Sequence, residues 1–170
     1  MLARPFEARE FSTGRSHGRA GARIGKIARM SSVRDLEELV AAHSGDFGRA
    51  ARELRERVRR HTELNGADHP ETLGLRLDLA RVLGTASQFT KAVHVCEPLL
   101  RDQLRVLGPE HDETLETRQL LANLRYRAGD ADGARAELEQ LLAALSHVLM
   151  PTHDRITKLK REIAFLERSS

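Results

Sequence analysis

The sequence predicts an all-α protein in which antiparallel helix pairs stack into a solenoid of about seven helices. The main evidence is an internal repeat: residues 66–107 and 108–149 align without gaps, and 15 of the 42 aligned positions hold identical residues. Chance alone would give roughly three identities at ordinary composition. Within each copy the apolar residues recur at helical spacing, and no segment alternates apolar and polar residues as a half-buried strand does.

Seven helices are predicted, in order, over residues 33–43, 47–64, 70–84, 88–107, 112–128, 131–149 and 153–168. The first two are assigned because the repeat extends backwards: Phe47 and Ala50 lie 42 residues before Phe89 and Ala92. In the first helix the offset becomes 43, which one extra residue in a connecting loop would explain.

Turn and capping signals give the boundaries of the next four helices. The third begins at His69-Pro70, where proline occupies a first-turn position that needs no N–H donor. Gly84 opens the break before the fourth helix, which ends at Gly108-Pro109, a typical helix terminus. The fifth and sixth helices repeat the pattern, with His111 at the start and Gly129 in the break.

The seventh helix has no partner helix after it. A helix pair this short cannot bury its apolar face alone, so successive pairs must stack, and the last helix must present a polar face to solvent. Charged residues mark that face: Lys158, Lys160, Arg161, Glu162, Glu167 and Arg168. Alanines recur where helices would cross closely, at residues 80, 122 and 164 on first helices and 50, 92 and 134 on second helices.

Composition narrows the classes of function. The chain has 170 residues, of which 40% are hydrophobic, 31% charged and 4% aromatic, and this suits one modest globular domain. Cys96 is the only cysteine, so neither an intrachain disulfide nor a cysteine-rich zinc site can form. The sequence has no apolar run of about 18 residues to span a membrane, and too few aromatic residues for a base-stacking surface.

The excess positive charge is concentrated at the N-terminus. Residues 1–29 contain seven basic and two acidic residues, whereas residues 30–170 contain 21 basic and 23 acidic residues. We predict a disordered Arg-rich tail over 1–30, followed by a helical repeat domain over 31–170. The tail could be inert, with the real start at Met30, could bind phosphates, or could direct targeting. It lacks the apolar core of a secretory signal, and we expect a cytoplasmic protein.

These features together resemble the tetratricopeptide repeat family, in particular the long 42-residue variant of kinesin light chains. The shared features are the period, the opening Gly-x-x-His-x-x-Thr-Leu at residues 66 and 108, and the recurring alanines. The resemblance covers about 33–170 of the chain. It implies a right-handed superhelical solenoid whose first helices line a concave groove for peptides or partner proteins. It also implies no catalytic activity and no cofactor.

The family's groove positions can be carried over to this chain residue by residue. They fall on Leu77, Arg81, Glu116, Gln119, Asn123, Tyr126, Arg127, Lys158, Arg161 and Phe165. Four of these residues are cationic and one is acidic, and an acidic peptide or protein is therefore the expected partner.

The expected function is that of a non-enzymatic adaptor or scaffold. The 24 Arg against 4 Lys residues are typical of G+C-rich genomes, and we therefore expect a bacterial source. The resemblance to a repeat variant found in many bacterial regulatory proteins implies a role in regulation. Two alternatives remain open. One is a nucleic-acid-associated regulator that uses the basic tail. The other is a remnant of a longer repeat protein, with an exposed leading helix that docks or self-associates.

Two sets of side chains repeat every 42 residues, and each could be interpreted as a binding site. We call each set a ladder. His69, His111 and His153 lie at helix starts, and equivalent positions in stacked repeats are about 8–10 Å or more apart, too far for one metal ion. Helix capping is the favoured interpretation. For the second ladder, Arg76, Arg118 and Lys160, we favour structural ion pairs over a strip that binds acidic peptides.

The sequence shows no sign of a catalytic site. Cys96 aligns with Leu138 on a core face and is expected to be a buried hydrophobe. The chain contains no zinc-protease, phosphate-loop or nucleophile-elbow motif.

Overall fold

Six α-helices account for most of the part of the chain that the structure describes. The computed structural model describes the backbone of residues 33–169 and the side chains of residues 45–168. We number the helices α1 (Val33–Asn65), α2 (Pro70–Thr85), α3 (Phe89–Val106), α4 (Asp112–Arg127), α5 (Ala131–Val148) and α6 (Asp154–Ser169). Residues 33–169 contain no strand, and the all-α prediction is confirmed. The predicted tail, residues 1–30, lies outside the described residues.

The bounds of α2 to α6 lie within one residue of the predicted ones. The predicted break between residues 43 and 47 is wrong, because α1 runs through it as a single helix. Gly45 and Gly48 lie inside α1, which contains no proline. A glycine costs a helix only about 1 kcal/mol relative to alanine, so glycine without proline weakens a helix but does not end it.

Histidine caps the start of three helices. The Nδ1 atom of His69 accepts a hydrogen bond from the N–H of Glu71 at 3.3 Å, and His111 accepts from Glu113 at the same distance. His153 accepts from the N–H of Arg155 at 3.1 Å. The capping interpretation of this ladder is confirmed. Within residues 45–168, no group of three or more His, Cys, Asp or Glu side chains is placed to hold a metal ion.

Glycine closes the second helices. Gly66 and Gly108 have φ angles of 94° and 91°, a left-handed conformation that other residues adopt at a steric cost. The N–H groups of Leu107 and Gly108 both donate to the carbonyl of Gln103, which satisfies the end of α3 before the chain turns into α4.

Each helix from α2 onward packs against the next one in sequence. Two clusters of buried side chains lie between the helices. One is rich in leucines of α2, α3 and α4, and the other in leucines and isoleucines of α4, α5 and α6. Of the six alanines predicted at helix crossings, Ala80, Ala92, Ala122 and Ala134 are at most 1% exposed, as expected, whereas Ala50 and Ala164 are half-buried.

Helix α6 has one packed face and one solvated face. Ile156, Leu159, Ile163 and Leu166 are buried against the second cluster. The charged side chains of Lys158, Lys160, Arg161, Glu167 and Arg168 are exposed. The helix therefore closes the core with a polar surface, as the sequence predicted, except that Glu162, which was assigned to the solvated face, is only 8% exposed. None of the helices in the described residues is both long and apolar enough to cross a membrane.

Candidate protein-binding groove

An ion pair joins the first helices of the two complete repeats. Arg81 on α2 donates from Nη2 to Oε1 of Glu116 on α4, and from Nη1 to Oδ1 of Asp78 at 3.0 Å. All three side chains are between 30% and 54% exposed, so the pair lies at the surface. Two of the predicted groove residues therefore contact each other, and the charge of Arg81 is compensated within the protein.

Leu77 is not available to a ligand. Its exposed fraction is 4%, and its side chain packs in the first apolar cluster with Leu73 and Leu120. The expectation that Leu77 lines the groove is corrected here: Leu77 is one of six leucine and alanine side chains of α2 that are buried, whereas its repeat equivalent in α4, Gln119, is half-buried. A leucine at this register contributes to folding and not to an open surface.

The predicted groove residues of α4 differ in how far they are exposed to solvent. Gln119 and Asn123 are half-buried, and Tyr126 is half-buried against the second apolar cluster. Arg127 at the end of the helix is exposed, and its guanidinium lies 4.3 Å from the centre of the Phe89 ring. Phe89 begins α3, so this cation–π contact joins the end of one first helix to the start of the preceding second helix.

The terminal helix α6 contains three more of the predicted groove residues. Lys158 and Arg161 are exposed, and Phe165 is half-buried against the second apolar cluster. Lys158 Nζ lies 3.8 Å from Glu162, whose carboxylate is mostly buried. Burial raises the pKa of Glu162, and Lys158 opposes this rise.

Positive charge along the candidate groove is therefore uneven. Arg81 and Lys158 each contact an acidic side chain. Arg127 and Arg161 form no ion pair within residues 45–168 and remain as uncompensated cations at exposed positions. The net positive field along the predicted groove positions comes from the end of α4 and from α6.

The arginine ladder serves the fold. Arg76 Nη1 donates to Asp102 at 2.7 Å, and Arg118 Nη1 donates to Glu137 at 3.0 Å, with all four side chains less than a third exposed. These pairs join each first helix to the second helix of its own repeat. The structural interpretation of Arg76 and Arg118 is confirmed, and neither residue supplies free charge to a ligand. It is wrong for Lys160, which is exposed and forms no ion pair within residues 45–168.

Sequence reasoning missed Phe89 and Arg125. Phe89 was identified in the sequence only as the repeat match of Phe47, yet its ring lies 4.3 Å from the guanidinium of Arg127, which is 38 residues further along the chain. Arg125 donates to Glu97 at 2.8 Å and lies within 4 Å of Asp130 and Glu137. Helical spacing carries no signal for contacts between separate helices, so neither pair could be found from periodicity alone.

Cys96 has the environment of a core residue. Its side chain is fully buried, and burial raises the pKa of the thiol to about 12. Because the thiolate is the reactive form, a thiol with so high a pKa is chemically inert at neutral pH.

Comparison with known families agrees with this architecture. Residues 75–146, from α2 to α5, match the family model of the tetratricopeptide repeat (TPR). The resemblance to tetratricopeptide repeats seen in the sequence is confirmed over these residues. Proteins with this fold generally serve as protein-interaction scaffolds, and the family is generally non-enzymatic.

Solved structures share the fold over most of the chain. One is a Podosopora anserina protein provisionally named a kinesin light chain, with nearly identical TPR-like repeats; it aligns at a TM-score of 0.65 and 24% identity, over 81% of this chain and 66% of that one. A variant of that Podosopora anserina protein aligns at 0.64 and 25% identity, over 79% and 64%. BtubC (BKLC) from P. vanneervenii aligns at 0.63 and 15% identity, over 83% and 59%.

The chain is shorter than these relatives of known structure. It spans between 59% and 66% of their length. No curated protein matches the sequence.

Proposed function

We propose that this protein is a non-enzymatic adaptor whose groove, lined by α2, α4 and α6, binds a peptide or a segment of a partner protein. The observation that carries the proposal is the pair of exposed cations, Arg127 and Arg161, that no acidic side chain of the described residues neutralises. Cations left free at groove positions favour a ligand that supplies the missing carboxylates.

The proposed ligand is an acidic segment with apolar or aromatic residues. Tyr126 and Phe165 offer aromatic surface beside Arg127 and Arg161, and the amides of Gln119 and Asn123 can donate to a peptide backbone. Glu116 and Arg81 neutralise each other, so α2 is expected to contribute less to ligand charge recognition than α4 and α6.

The wider setting is proposed on sequence grounds. We infer a tail over residues 1–30 and a repeat domain over 31–170, in a cytoplasmic protein of a bacterium that acts in regulation. The basic composition of residues 1–29 and the Arg-to-Lys ratio support this setting.

Affinity capture from a lysate of the source organism tests the proposal. Three full-length baits are compared: the natural chain, Arg127→Glu with Arg161→Glu, and Arg52→Glu with Arg57→Glu. The last pair is exposed on α1 and changes the net charge equally. We expect a protein captured by the natural chain and the α1 variant but lost by the groove variant.

Two results would contradict the proposal. Equal capture by all three baits would move the interface away from the groove. Retention of nucleic acid by all three baits, with steep dependence on salt and no protein partner, would favour the nucleic-acid-associated alternative that uses the basic tail.

A further inference from the structure

The four large apolar side chains that are exposed within residues 45–168 all lie at one edge of the repeat domain. They are Leu64, Val106, Val148 and Met150, with exposed fractions of 74%, 41%, 54% and 73%. The first three are repeat equivalents, each 42 residues after the one before, at or near the ends of α1, α3 and α5. An apolar position that is exposed in three successive units is not explained by packing within the domain.

Ion pairs show that these positions form one continuous edge. Arg105, beside Val106, donates to both carboxylate oxygens of Asp68, at 2.9 and 2.5 Å. In the next unit His147, beside Val148, lies 3.4 Å from Glu110, which is the repeat equivalent of Asp68. Each connection between a second helix and the next first helix is therefore in contact with its neighbour.

This edge is also acidic. The three connecting stretches, residues 61–71, 103–113 and 145–155, hold seven Asp or Glu side chains and only two Arg, Arg105 and Arg155, with no Lys. Their combined net charge is −5 with neutral histidines, whereas the net charge of residues 30–170 as a whole is only −2. We call this surface, with its apolar row, the acidic edge.

We propose that the acidic edge is a second docking surface, which binds a basic amphipathic helix of a partner protein. The row of Leu64, Val106 and Val148 would take the apolar face of the helix. The lysines or arginines of the helix would pair with exposed carboxylates of the edge that no Arg or Lys of residues 45–168 engages, namely Glu71, Asp112 and Asp154. The edge is separate from the groove, whose free cations Arg127 and Arg161 favour a ligand of the opposite charge. One protein could thereby hold two partners of opposite charge.

Fluorescence anisotropy with two designed peptides tests this proposal. The first forms an amphipathic helix with a leucine stripe flanked by lysines, and the second has glutamate in place of every lysine. We expect the full chain to bind the lysine peptide, with affinity that falls as salt is added, and not to bind the glutamate peptide. Equal binding of the two peptides would overturn the proposal.

Surface variants locate the binding. Val106→Ser with Val148→Ser is expected to weaken binding of the lysine peptide about tenfold, because apolar contact area is lost. Ala136→Ser, an exposed change at the start of α5, should not weaken it. Glu71→Gln with Glu110→Gln should weaken binding more than Glu139→Gln with Glu167→Gln, which removes as much charge elsewhere. Binding unaffected by the valine changes would overturn the proposal.

Three further measurements distinguish binding at this edge from binding in the groove, and a partner protein from other possible ligands of the edge. Arg127→Glu with Arg161→Glu should leave binding of the lysine peptide unchanged. A failure of the groove proposal can then be distinguished from a failure of the edge proposal. A peptide of residues 1–30 that binds the edge more tightly than the lysine peptide would assign the surface to the chain itself. A dimer in sedimentation that Val106→Ser with Val148→Ser dissociates would assign it to a second copy. Either result would overturn the proposal that the edge binds a partner protein.

Discussion

Gln103 occupies in the first complete repeat the position that Leu145 occupies in the second. Both side chains are buried, with exposed fractions of 0% and 2%. Leu145 fills this place with apolar contacts, whereas neither the Oε1 nor the Nε2 atom of Gln103 has a hydrogen-bond partner. The equivalent buried position therefore holds a well-packed apolar side chain in one repeat and an amide without hydrogen-bond partners in the other.

Replacing Gln103 by leucine should stabilise the protein. Gln103→Leu removes a buried amide without partners, and we expect the free energy of unfolding to rise by about 1–3 kcal/mol. Urea denaturation measures the change. Gln140→Leu, at an exposed position of α5, is the control and should change stability by no more than about 0.5 kcal/mol. A loss of stability in Gln103→Leu would mean that the amide has an essential partner.

The histidine caps should contribute to stability through Nδ1. His111→Ala removes the acceptor for the N–H of Glu113, and we expect a loss of about 1 kcal/mol. His111→Asn supplies another side-chain acceptor and should lose less. His94→Ala, in the exposed middle of α3, provides a baseline. If His94→Ala and His111→Ala cost the same in thermal unfolding, the cap contributes nothing.

Glu162 should make the protein less stable as the pH rises. Burial raises the pKa of Glu162 above its usual value of 4.5, so the unfolded chain releases this proton at lower pH than the folded chain does. The unfolded state therefore gains relative stability from about pH 4.5 up to the raised pKa, and the difference persists above it.

The variant Glu162→Gln tests this dependence. It cannot ionise, so it should be more stable than the natural chain at pH 7, and the advantage should shrink as the pH falls toward 4. Glu167→Gln, on the exposed face of the same helix, should show no such pH-dependent gain. Thermal unfolding of all three proteins across this range gives the comparison, and a gain that grows on acidification would contradict the account.

Cys96 should be unreactive in the folded protein. A buried thiol with a pKa of about 12 holds almost no thiolate at pH 8, whereas unfolding restores the usual value of 9.0 and exposes the sulfur. We expect alkylation by iodoacetamide, followed by mass spectrometry, to be slow in buffer and fast in guanidinium chloride. Because Cys96 is the only cysteine, the added mass can be assigned to it alone. Equal rates in the two solvents would show that the thiol is accessible.

The fold was largely predictable because its determinants are local and repeated. A period of 42, histidine at the helix starts and glycine at the helix ends determined five helices to within one residue. The break predicted near Gly45 is absent because glycine only weakens a helix, and nothing in that segment forbids helical backbone. Glycine without a neighbouring proline is therefore a weak indicator of a helix end.

The site was less predictable, because it depends on contacts between separate helices. The family resemblance placed Leu77 and Arg81 in the groove, but the packing of α2 buries Leu77, and Arg81 pairs with Glu116. Val106 fits the apolar stripe of its helix, yet no neighbouring helix within the described residues covers it and it is 41% exposed. Helical spacing assigns a residue to a face and does not reveal what covers that face.

Binding of an acidic peptide tests the central claim most directly. A labelled peptide rich in Asp and Glu, with interspersed aromatic residues, would be titrated with the natural chain, with Arg127→Glu plus Arg161→Glu, and with Arg52→Glu plus Arg57→Glu. Our account predicts that the groove variant binds at least about tenfold more weakly than the other two proteins, since both free cations are reversed. Equal affinity of the two variants would show that general charge, and not the groove, attracts the ligand.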